Sequence, residues 1–120
     1  MKKILVIEDD GDLGVLIGLV LFEKYQVQQV RESKWVMSTL AKFRPDLIIM
    51  DYTIGQKVAP DIIDEIKTDD SYATIPFILF SGHHDIERMA HKLKAAAFLP
   101  KPFELYELQN CVDMVLESEC

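Results

Sequence analysis

Four short runs of apolar residues limit the folds open to this chain more than any other feature of its sequence. They are Ile4–Ile7, Leu47–Met50, Phe77–Phe80 and the weaker Ala96–Leu99. These runs show little alternation of apolar and polar residues, which is typical of strands buried on both faces of a parallel sheet. The segment Gln26–Val30 does alternate, and this pattern predicts a fifth strand at the edge of the same sheet.

Apolar residues at helical spacing lie between these runs and predict helices. They form four stripes: Val36, Leu40 and Phe43; Ile62, Ile63 and Ile66; Ile86, Met89, Ala90 and Leu93; and Leu105, Leu108, Val112 and Val115. The segment Leu13–Phe22 supplies the first helix. The order is therefore βαβαβαβαβα, which right-handed crossovers convert into an α/β fold with a five-stranded, doubly wound parallel sheet. At 120 residues we expect a single domain, 1–120.

The overall charge argues against two classes of partner. Thirteen basic and 20 acidic residues give a formal net charge of −7, which repels phosphate backbones and anionic lipid. We therefore expect no direct nucleic-acid binding and no membrane association. Leu13–Phe22, the longest apolar run, is too short to span a bilayer, and the N-terminus lacks the pattern of a signal peptide. A cytoplasmic protein with Cys111 and Cys120 reduced is the simplest interpretation.

Polar residues follow the predicted strands at the positions where each strand ends. Glu8, Asp9 and Asp10 follow the first strand, Asp51 the third, Ser81 the fourth and Lys101 the fifth. The carboxyl ends of parallel strands meet at one edge of such a sheet, where ligands bind. We therefore expect carboxylates, a hydroxyl and an ammonium group to converge there.

This set of groups suits phosphoryl transfer. Crowded carboxylates repel one another and need a cation, and a site made of oxygen ligands favours Mg²⁺ before Ca²⁺. Asp51 is a candidate nucleophile, because a carboxylate can attack phosphorus and form an acyl phosphate. Lys101 and Mg²⁺ would neutralise the transferring group, and Ser81 can donate a hydrogen bond to one of its oxygens.

Along its whole length the sequence resembles a response-regulator receiver domain. The resemblance lies in Ile4–Asp10, Asp46–Asp51, Ser81-Gly82 and Lys101-Pro102-Phe103. It implies the flavodoxin-like strand order 2-1-3-4-5 and a cis Lys101–Pro102 bond. It also implies the site roles: Glu8 and Asp9 as the acidic pair with Asp9 binding the metal directly, Asp51 as phosphoacceptor and metal ligand, the Thr53 backbone carbonyl as a further ligand, Ser81 as switch hydroxyl, Lys101 as phosphate-binding lysine, and Phe98 as the switching aromatic residue.

The loop after Asp51 departs from the family pattern. Gly55 stands where the family usually has Pro, Ala59 where it usually has Gly, and Thr53 where Met is common. Ala95-Ala96 replaces a Gly-Ala pair before the fifth strand. These changes affect the conformation and rigidity of the loop but remove no reactive group.

Several other residues have two interpretations. Asp10 and Asp12 fit helix capping better than metal binding. His83-His84-Asp85 resembles a transition-metal site, but solvated histidines are the more common case, and His83 is better placed to modulate phosphate hydrolysis. We interpret Cys111 and Trp35 as packing residues. Phe98 fits a plain core residue as well as it fits a switch.

The resemblance implies a phosphoacceptor that is not an enzyme acting on free substrates. Its expected partners are a sensor histidine kinase or histidine phosphotransfer protein, and an unknown downstream protein, since no effector domain follows the last helix of this sequence; the alternative is that the chain is a piece of a longer protein. Three rival functions remain. They are a phosphorylation-independent interaction module, a small haloacid-dehalogenase-type phosphatase using Asp10-Gly11-Asp12, and a flavin-binding electron carrier, whose phosphate Glu8–Asp10 would repel.

The first predicted helix is unusual because Leu13–Phe22 contains no polar side chain. A helix on one face of a sheet needs only an apolar stripe, so some of these residues should stay exposed. By the same resemblance, a kinase or phosphotransfer protein docks near this helix. The alternative is burial against the last helix, with Gly14 and Gly18 permitting close packing.

Overall fold

The structure, a computed structural model, describes residues 1–117. Its elements, in chain order, are β1 (Lys3–Ile7), α1 (Gly11–Leu21), β2 (Gln26–Val30), a 3₁₀ turn (Ser33–Trp35), α2 (Val36–Phe43), β3 (Leu47–Asp51), β4 (Thr53–Ile54), β5 (Lys57–Val58), α3 (Ala59–Lys67), β6 (Phe77–Ser81), α4 (Ile86–Leu93), β7 (Ala97–Pro100) and α5 (Leu105–Glu117). Cys120 lies outside the described residues.

Five parallel strands form the central sheet in the order β2-β1-β3-β6-β7. When the small β4–β5 hairpin is left aside, this is the predicted order 2-1-3-4-5. The predicted edge strand, β2, is indeed at the edge. The α/β, doubly wound fold is therefore confirmed.

The central strands are apolar except at their end residues, because both faces of the sheet are covered. Successive side chains of a strand point to opposite faces. One set, which includes Leu5, Ile48 and Leu79, packs with residues of α2, α3 and α4. The other set, which includes Val6 and Ile49, packs with residues of α1 and α5. The carboxyl ends of β1, β3 and β6 are thereby held rigidly at one edge.

Local signals fix where the helices begin and end. The Asp10 side chain caps α1 by accepting hydrogen bonds from the backbone N–H groups of Asp12 and Leu13, as expected for Asp10. Asp12 itself lies in the first turn. Helices α2 and α4 end at Arg44 and Lys94, both in the left-handed conformation that terminates helices.

The loop after Asp51 differs from a plain loop. It folds into a two-stranded antiparallel hairpin in which Thr53 pairs with Val58 and Ile54 with Lys57. Gly55 occupies its turn with φ +61°. Proline is restricted to φ near −65°, so the family's usual residue could not adopt this conformation. The departure at position 55 is thus matched to the local backbone.

One packing prediction was wrong. Trp35 is 56% exposed, because it ends the 3₁₀ turn one residue before the buried stripe that begins at Val36. In the alternative considered for α1, Gly14 permits close packing on the last helix; its near neighbour is instead the side chain of Gln29 on β2. Cys111 is buried on α5, as predicted.

Helix α1 keeps an uncovered apolar face, as predicted. Leu19 and Phe22 are 61% and 60% exposed, and Val15 and Leu16 also face solvent. Residues 15, 19 and 22 follow helical spacing and therefore lie on one side of the helix. None of the helices within residues 1–117 is both long and apolar enough to cross a membrane.

Candidate functional site

Three carboxylates meet at the carboxyl edge of the sheet. Glu8 and Asp9 follow β1, and Asp51 is the last residue of β3, the neighbouring strand. One oxygen from each lies within 4.8 Å of the others, which is close enough to share a cation. Their exposure differs: Glu8 is 1% exposed, Asp51 is half-buried and Asp9 faces solvent.

Lys101 places its positive charge directly on this cluster. Its Nζ lies 3.0 Å from Asp51 Oδ2 and 4.9 Å from the centre of the Phe80 ring. The backbone N–H of Lys101 donates to the Ser81 carbonyl at 2.8 Å, which extends the pairing of β7 with β6. The Lys101–Pro102 peptide bond is cis, as expected. Lys101 is therefore in direct contact with Asp51, the candidate nucleophile.

Glu8 is held in an environment that disfavours its charge. Its Oε1 accepts a hydrogen bond from the backbone N–H of Asp10 at 3.1 Å, but its buried Oε2 has no hydrogen-bond partner within residues 1–117. Burial, and then the nearby Asp51 carboxylate, raise the pKa of Glu8 to about 7, although the Asp10 hydrogen bond opposes this.

These observations fit a hard divalent cation. A buried carboxylate oxygen without a partner, beside two further carboxylates, is a donor set of oxygen atoms alone. A cation among these oxygens would favour the charged form of Glu8 and offset the repulsion among the three acids. The residues present therefore suit Mg²⁺.

Asp9 is also fixed from the hairpin. Its Oδ2 accepts a hydrogen bond from the backbone N–H of Gly55 at 2.9 Å. Thr53, the predicted carbonyl ligand, is exposed at the start of β4, two residues after Asp51. The β4–β5 hairpin thus links the acidic loop, residues Glu8–Asp10, to the end of β3.

Ser81 lies at the end of β6, one position beyond Phe80, the residue that pairs with Asp51. The hydroxyl is buried, and its Oγ accepts a hydrogen bond from the backbone N–H of His83 at 3.0 Å. A hydroxyl that accepts one bond keeps its own proton for donation. Ser81 is therefore suited to bind an oxygen atom placed at Asp51.

Two predicted residues stand further from the carboxylates. Phe98 is half-buried on β7, opposite Leu79, and packs against the cluster on the α2–α4 face of the sheet. The His83 ring is exposed and stacks on His84, with ring centres 4.8 Å apart. His83, His84 and Asp85 are near enough to hold a metal, but Asp85 is paired with Arg88 at 3.1 Å.

The acid pair of the phosphatase hypothesis does not enter this site. The Oδ1 atom of Asp10 accepts the hydrogen bonds that cap α1, and Asp12 is exposed in the first helical turn. A phosphatase would need both aspartates at the reacting atoms. The arrangement of these residues argues against that function.

Two residues that contact the acidic loop were not predicted. Gln29 and Arg31 reach from β2 and its following residue to backbone carbonyls of the loop. The alternation of β2 indicated which side chains share a face, but not that Gln29 would lie over the neighbouring loop.

Comparison with known proteins agrees with the fold and identifies a family. Residues 4–113 match the response regulator receiver domain family. The chain is 26% identical over 116 residues to sporulation initiation phosphotransferase F of Bacillus subtilis, covering 96% of this chain and 94% of that protein. It is 28% identical over 120 residues to the nitrogen assimilation regulatory protein NtrX of Azorhizobium caulinodans, covering 96% of this chain.

Among solved structures, the N-terminal domain of the nisin resistance regulator NsrR superposes with a TM-score of 0.85 and 30% identity. That match covers 97% of this chain and 98% of the solved chain. Lengths differ among relatives, since this chain spans only 26% of NtrX.

Receiver domains are signalling modules rather than enzymes that act on free substrates. They bind Mg²⁺ through acidic residues and are phosphorylated by sensor histidine kinases. The match over residues 4–113, together with the five-stranded parallel sheet and the acidic cluster at its edge, shows that this chain belongs to the response regulator receiver domain family of two-component signalling.

Proposed function

We propose that Asp51 accepts a phosphoryl group from a sensor histidine kinase or a histidine phosphotransfer protein, with Mg²⁺ bound at the acidic cluster. The observation that carries this proposal is the contact between Lys101 Nζ and Asp51 Oδ2 at 3.0 Å, beside the carboxylates of Glu8 and Asp9. The phosphorylated form would present an altered surface to an unknown downstream protein.

The transfer is a displacement at phosphorus. A carboxylate oxygen of Asp51 attacks the phosphorus atom of a phosphohistidine and forms a new P–O bond. The P–N bond to the donor imidazole breaks, and its electron pair stays on that nitrogen. No oxidant or reductant is involved. Lys101, already on Asp51, would neutralise charge on the arriving group and hold one of its oxygens.

Four residues would hold the cation. The carboxylates of Asp9 and Asp51 and the Thr53 backbone carbonyl would bind it directly, and Glu8 would supply further negative charge. When bound, Mg²⁺ would supply positive charge that offsets the repulsion between an anionic donor and the three carboxylates. The unpaired Oε2 of Glu8 supports this assignment.

The response to phosphorylation would pass through Ser81 and Phe98. The Ser81 hydroxyl would turn to donate to a phosphoryl oxygen, which weakens its present bond from the His83 N–H. The β6–α4 loop would then move with it. Phe98 is half-buried beside β6, so a shift of that loop changes the space open to its ring.

The donor would dock on the exposed apolar face of α1. This helix begins beside Asp9, at the rim of the acidic cluster. Leu13 and Leu16 also line a shallow apolar groove with Pro102, Phe103 and Leu105, next to Lys101. The groove and the helix face together offer apolar contacts within reach of Asp51. A cytoplasmic location, where such donors occur, stays a prediction.

Intact-mass spectrometry after incubation with acetyl phosphate and Mg²⁺ tests the proposal. We expect the mass of one added phosphoryl group in the wild type, and none after chelation of the metal. Asp51→Asn should abolish the added mass, whereas the exposed Asp12→Asn serves as a matched control and should label normally. Equal labelling of Asp51→Asn and wild type would contradict the assignment.

A further inference from the structure

The acidic loop is held from the side by the edge strand β2. The Gln29 Nε2 atom donates hydrogen bonds to the backbone carbonyl of Glu8 at 3.1 Å and to that of Asp10 at 3.4 Å. Arg31, just after the strand, directs its Nε and Nη2 atoms to the Asp9 carbonyl, each at 3.4 Å. Three consecutive carbonyls, 8 to 10, thus accept from two side chains.

Two glycines make room for these side chains. A Cβ atom on Gly14 would lie 1.9 Å from Gln29 Nε2, so the Gln29 amide would have to leave its present position. A Cβ atom on Gly11 would lie 3.0 Å from Arg31 Cζ. Both glycines are in the first part of α1, so the helix and β2 enclose the loop between them. Gln29 is half-buried there, whereas its neighbour Gln28 faces solvent.

These bonds act on the carboxylates through the backbone. Fixing a carbonyl fixes its peptide plane, and so limits where the adjoining side chains can point. When ionised, Glu8 and Asp9 carry like charges beside Asp51, and their repulsion favours a loop that swings the two carboxylates apart. Gln29 opposes this motion without adding charge to the site, because its amide is neutral.

We propose that Gln29 is a positioning residue for the cation site, with Arg31 as a second and longer-range support. Gln29 does not touch the cation. It holds the loop so that the carboxylates of Glu8 and Asp9 converge before the ion arrives. The inference rests on the proposed function, because it concerns the same Mg²⁺ site.

Titration calorimetry with Mg²⁺ alone tests this role. Gln29→Met keeps the length of the side chain but removes its donor, and we expect about a tenfold weaker Kd, in the range found for residues that orient metal ligands. Gln28→Met on the same strand is the matched control and should bind as wild type. At saturating Mg²⁺, the initial rate of labelling by acetyl phosphate should return to that of wild type.

A second pair of variants separates positioning from general stability. Gly14→Ala places a methyl group where the Gln29 amide lies, while alanine favours the helix. We expect Gly14→Ala to weaken Mg²⁺ binding as Gln29→Ala does, and the double variant to be no weaker than either one. This non-additive loss of affinity would show that both variants act through the same contact.

The outcomes distinguish the two proposals. If wild type binds Mg²⁺ and Gln29→Met binds with the same Kd, the positioning role is wrong and the proposed function stands. If Gln29→Met lowers the thermal stability but not the affinity, the role is structural and the inference is likewise overturned. If wild type shows no Mg²⁺ binding, both proposals fail.

Discussion

The carboxylate of Asp9 accepts a hydrogen bond from the backbone N–H of Gly55, with Oδ2 and N 2.9 Å apart. This contact joins the loop after β1 to the hairpin after Asp51. Gly55 is the position at which the sequence departs from the usual proline of the family, and a proline has no N–H to donate. The departure therefore adds a contact to the acidic cluster.

Replacing Gly55 should show how much that contact contributes to Mg²⁺ affinity and to stability. Gly55→Pro removes the N–H and cannot adopt φ +61°, so we expect weaker Mg²⁺ binding and a loss of stability of at least about 1 kcal/mol. Gly55→Ala keeps the N–H and meets no atom within 4 Å, so it should lose about 1 kcal/mol of stability with its Mg²⁺ affinity intact. Urea denaturation and calorimetry measure the two quantities; equal affinities in both variants would refute a role for the contact.

Lys101 should matter for the rate of phosphorylation more than for metal binding. Lys101→Met removes the ammonium group that lies 3.0 Å from Asp51 Oδ2. We expect about a hundredfold slower labelling by acetyl phosphate at saturating Mg²⁺, as for the loss of one preorganised charge. The Kd for Mg²⁺ should stay equal or become tighter, since a competing cation has gone. Lys42→Met, at an exposed site on α2, provides the control.

Glu8 should make the stability of the metal-free protein depend on pH. Its pKa is raised from 4.5 to about 7 in the folded state, so the folded protein binds more protons than the unfolded chain between these values. The free energy of unfolding should therefore fall as pH rises from about 4.5 to about 7, by up to about 3 kcal/mol. Glu8→Gln should remove this component.

Added Mg²⁺ provides the companion measurement to this pH series. The ion requires charged Glu8, so binding near pH 6 should release protons and offset the decline in stability. Thermal denaturation at a series of pH values, with and without Mg²⁺, measures both effects. Parallel curves for wild type and Glu8→Gln would contradict the assignment.

The apolar face of α1 should be needed for transfer from a protein donor. Leu19→Ser and Phe22→Ser change two of its most exposed residues, so they should cost the fold little. We expect slower transfer from the cognate kinase, by about tenfold if one docking contact is lost, with unchanged labelling by acetyl phosphate. Met114→Ser, equally exposed on α5, is the control. Unchanged transfer in both α1 variants would show that the donor does not dock on this face.

Thr53 and His83 should set the lifetime of the phosphorylated form rather than its formation. Both are exposed beside the site, two residues after Asp51 and Ser81 respectively. We expect Thr53→Ala and His83→Ala to change the rate of dephosphorylation several-fold, which is about 1 kcal/mol in the barrier. The measurement is the decay of labelled protein after removal of the donor. Decay rates equal to that of wild type in both variants would remove this role.

The sequence was sufficient to predict the sheet because its signals are local. Buried runs such as Leu47–Met50 and Phe77–Phe80 need no knowledge of their neighbours to be recognised as strands. The hairpin after Asp51 was missed because strands of two residues carry no period. Trp35 was misplaced because one residue along a helix rotates a side chain by about 100° away from the buried stripe.

The same difference between local patterns and long-range packing decides which residues of the candidate site could be predicted. Asp51, Ser81 and Lys101 could be placed because each one follows a recognisable strand. The contacts of Gln29 with the acidic loop could not, because they depend on Gly14, fifteen residues earlier in another element, and on how that helix packs. A sequence alone shows that Gly14 and Gln29 exist, but not that they meet.

The sheet edge has a consequence for how such a switch can be tuned. The residues proposed for the chemistry, Asp51 and Ser81, end strands whose other residues are almost fully buried, so a change there disturbs the whole core. Thr53 and His83, the residues proposed to set the lifetime, are exposed in the connections that follow these strands. On these roles, timing and chemistry would be carried by residues that differ in burial. A lineage could lengthen or shorten its signal by surface substitutions alone, with the reacting groups left in place.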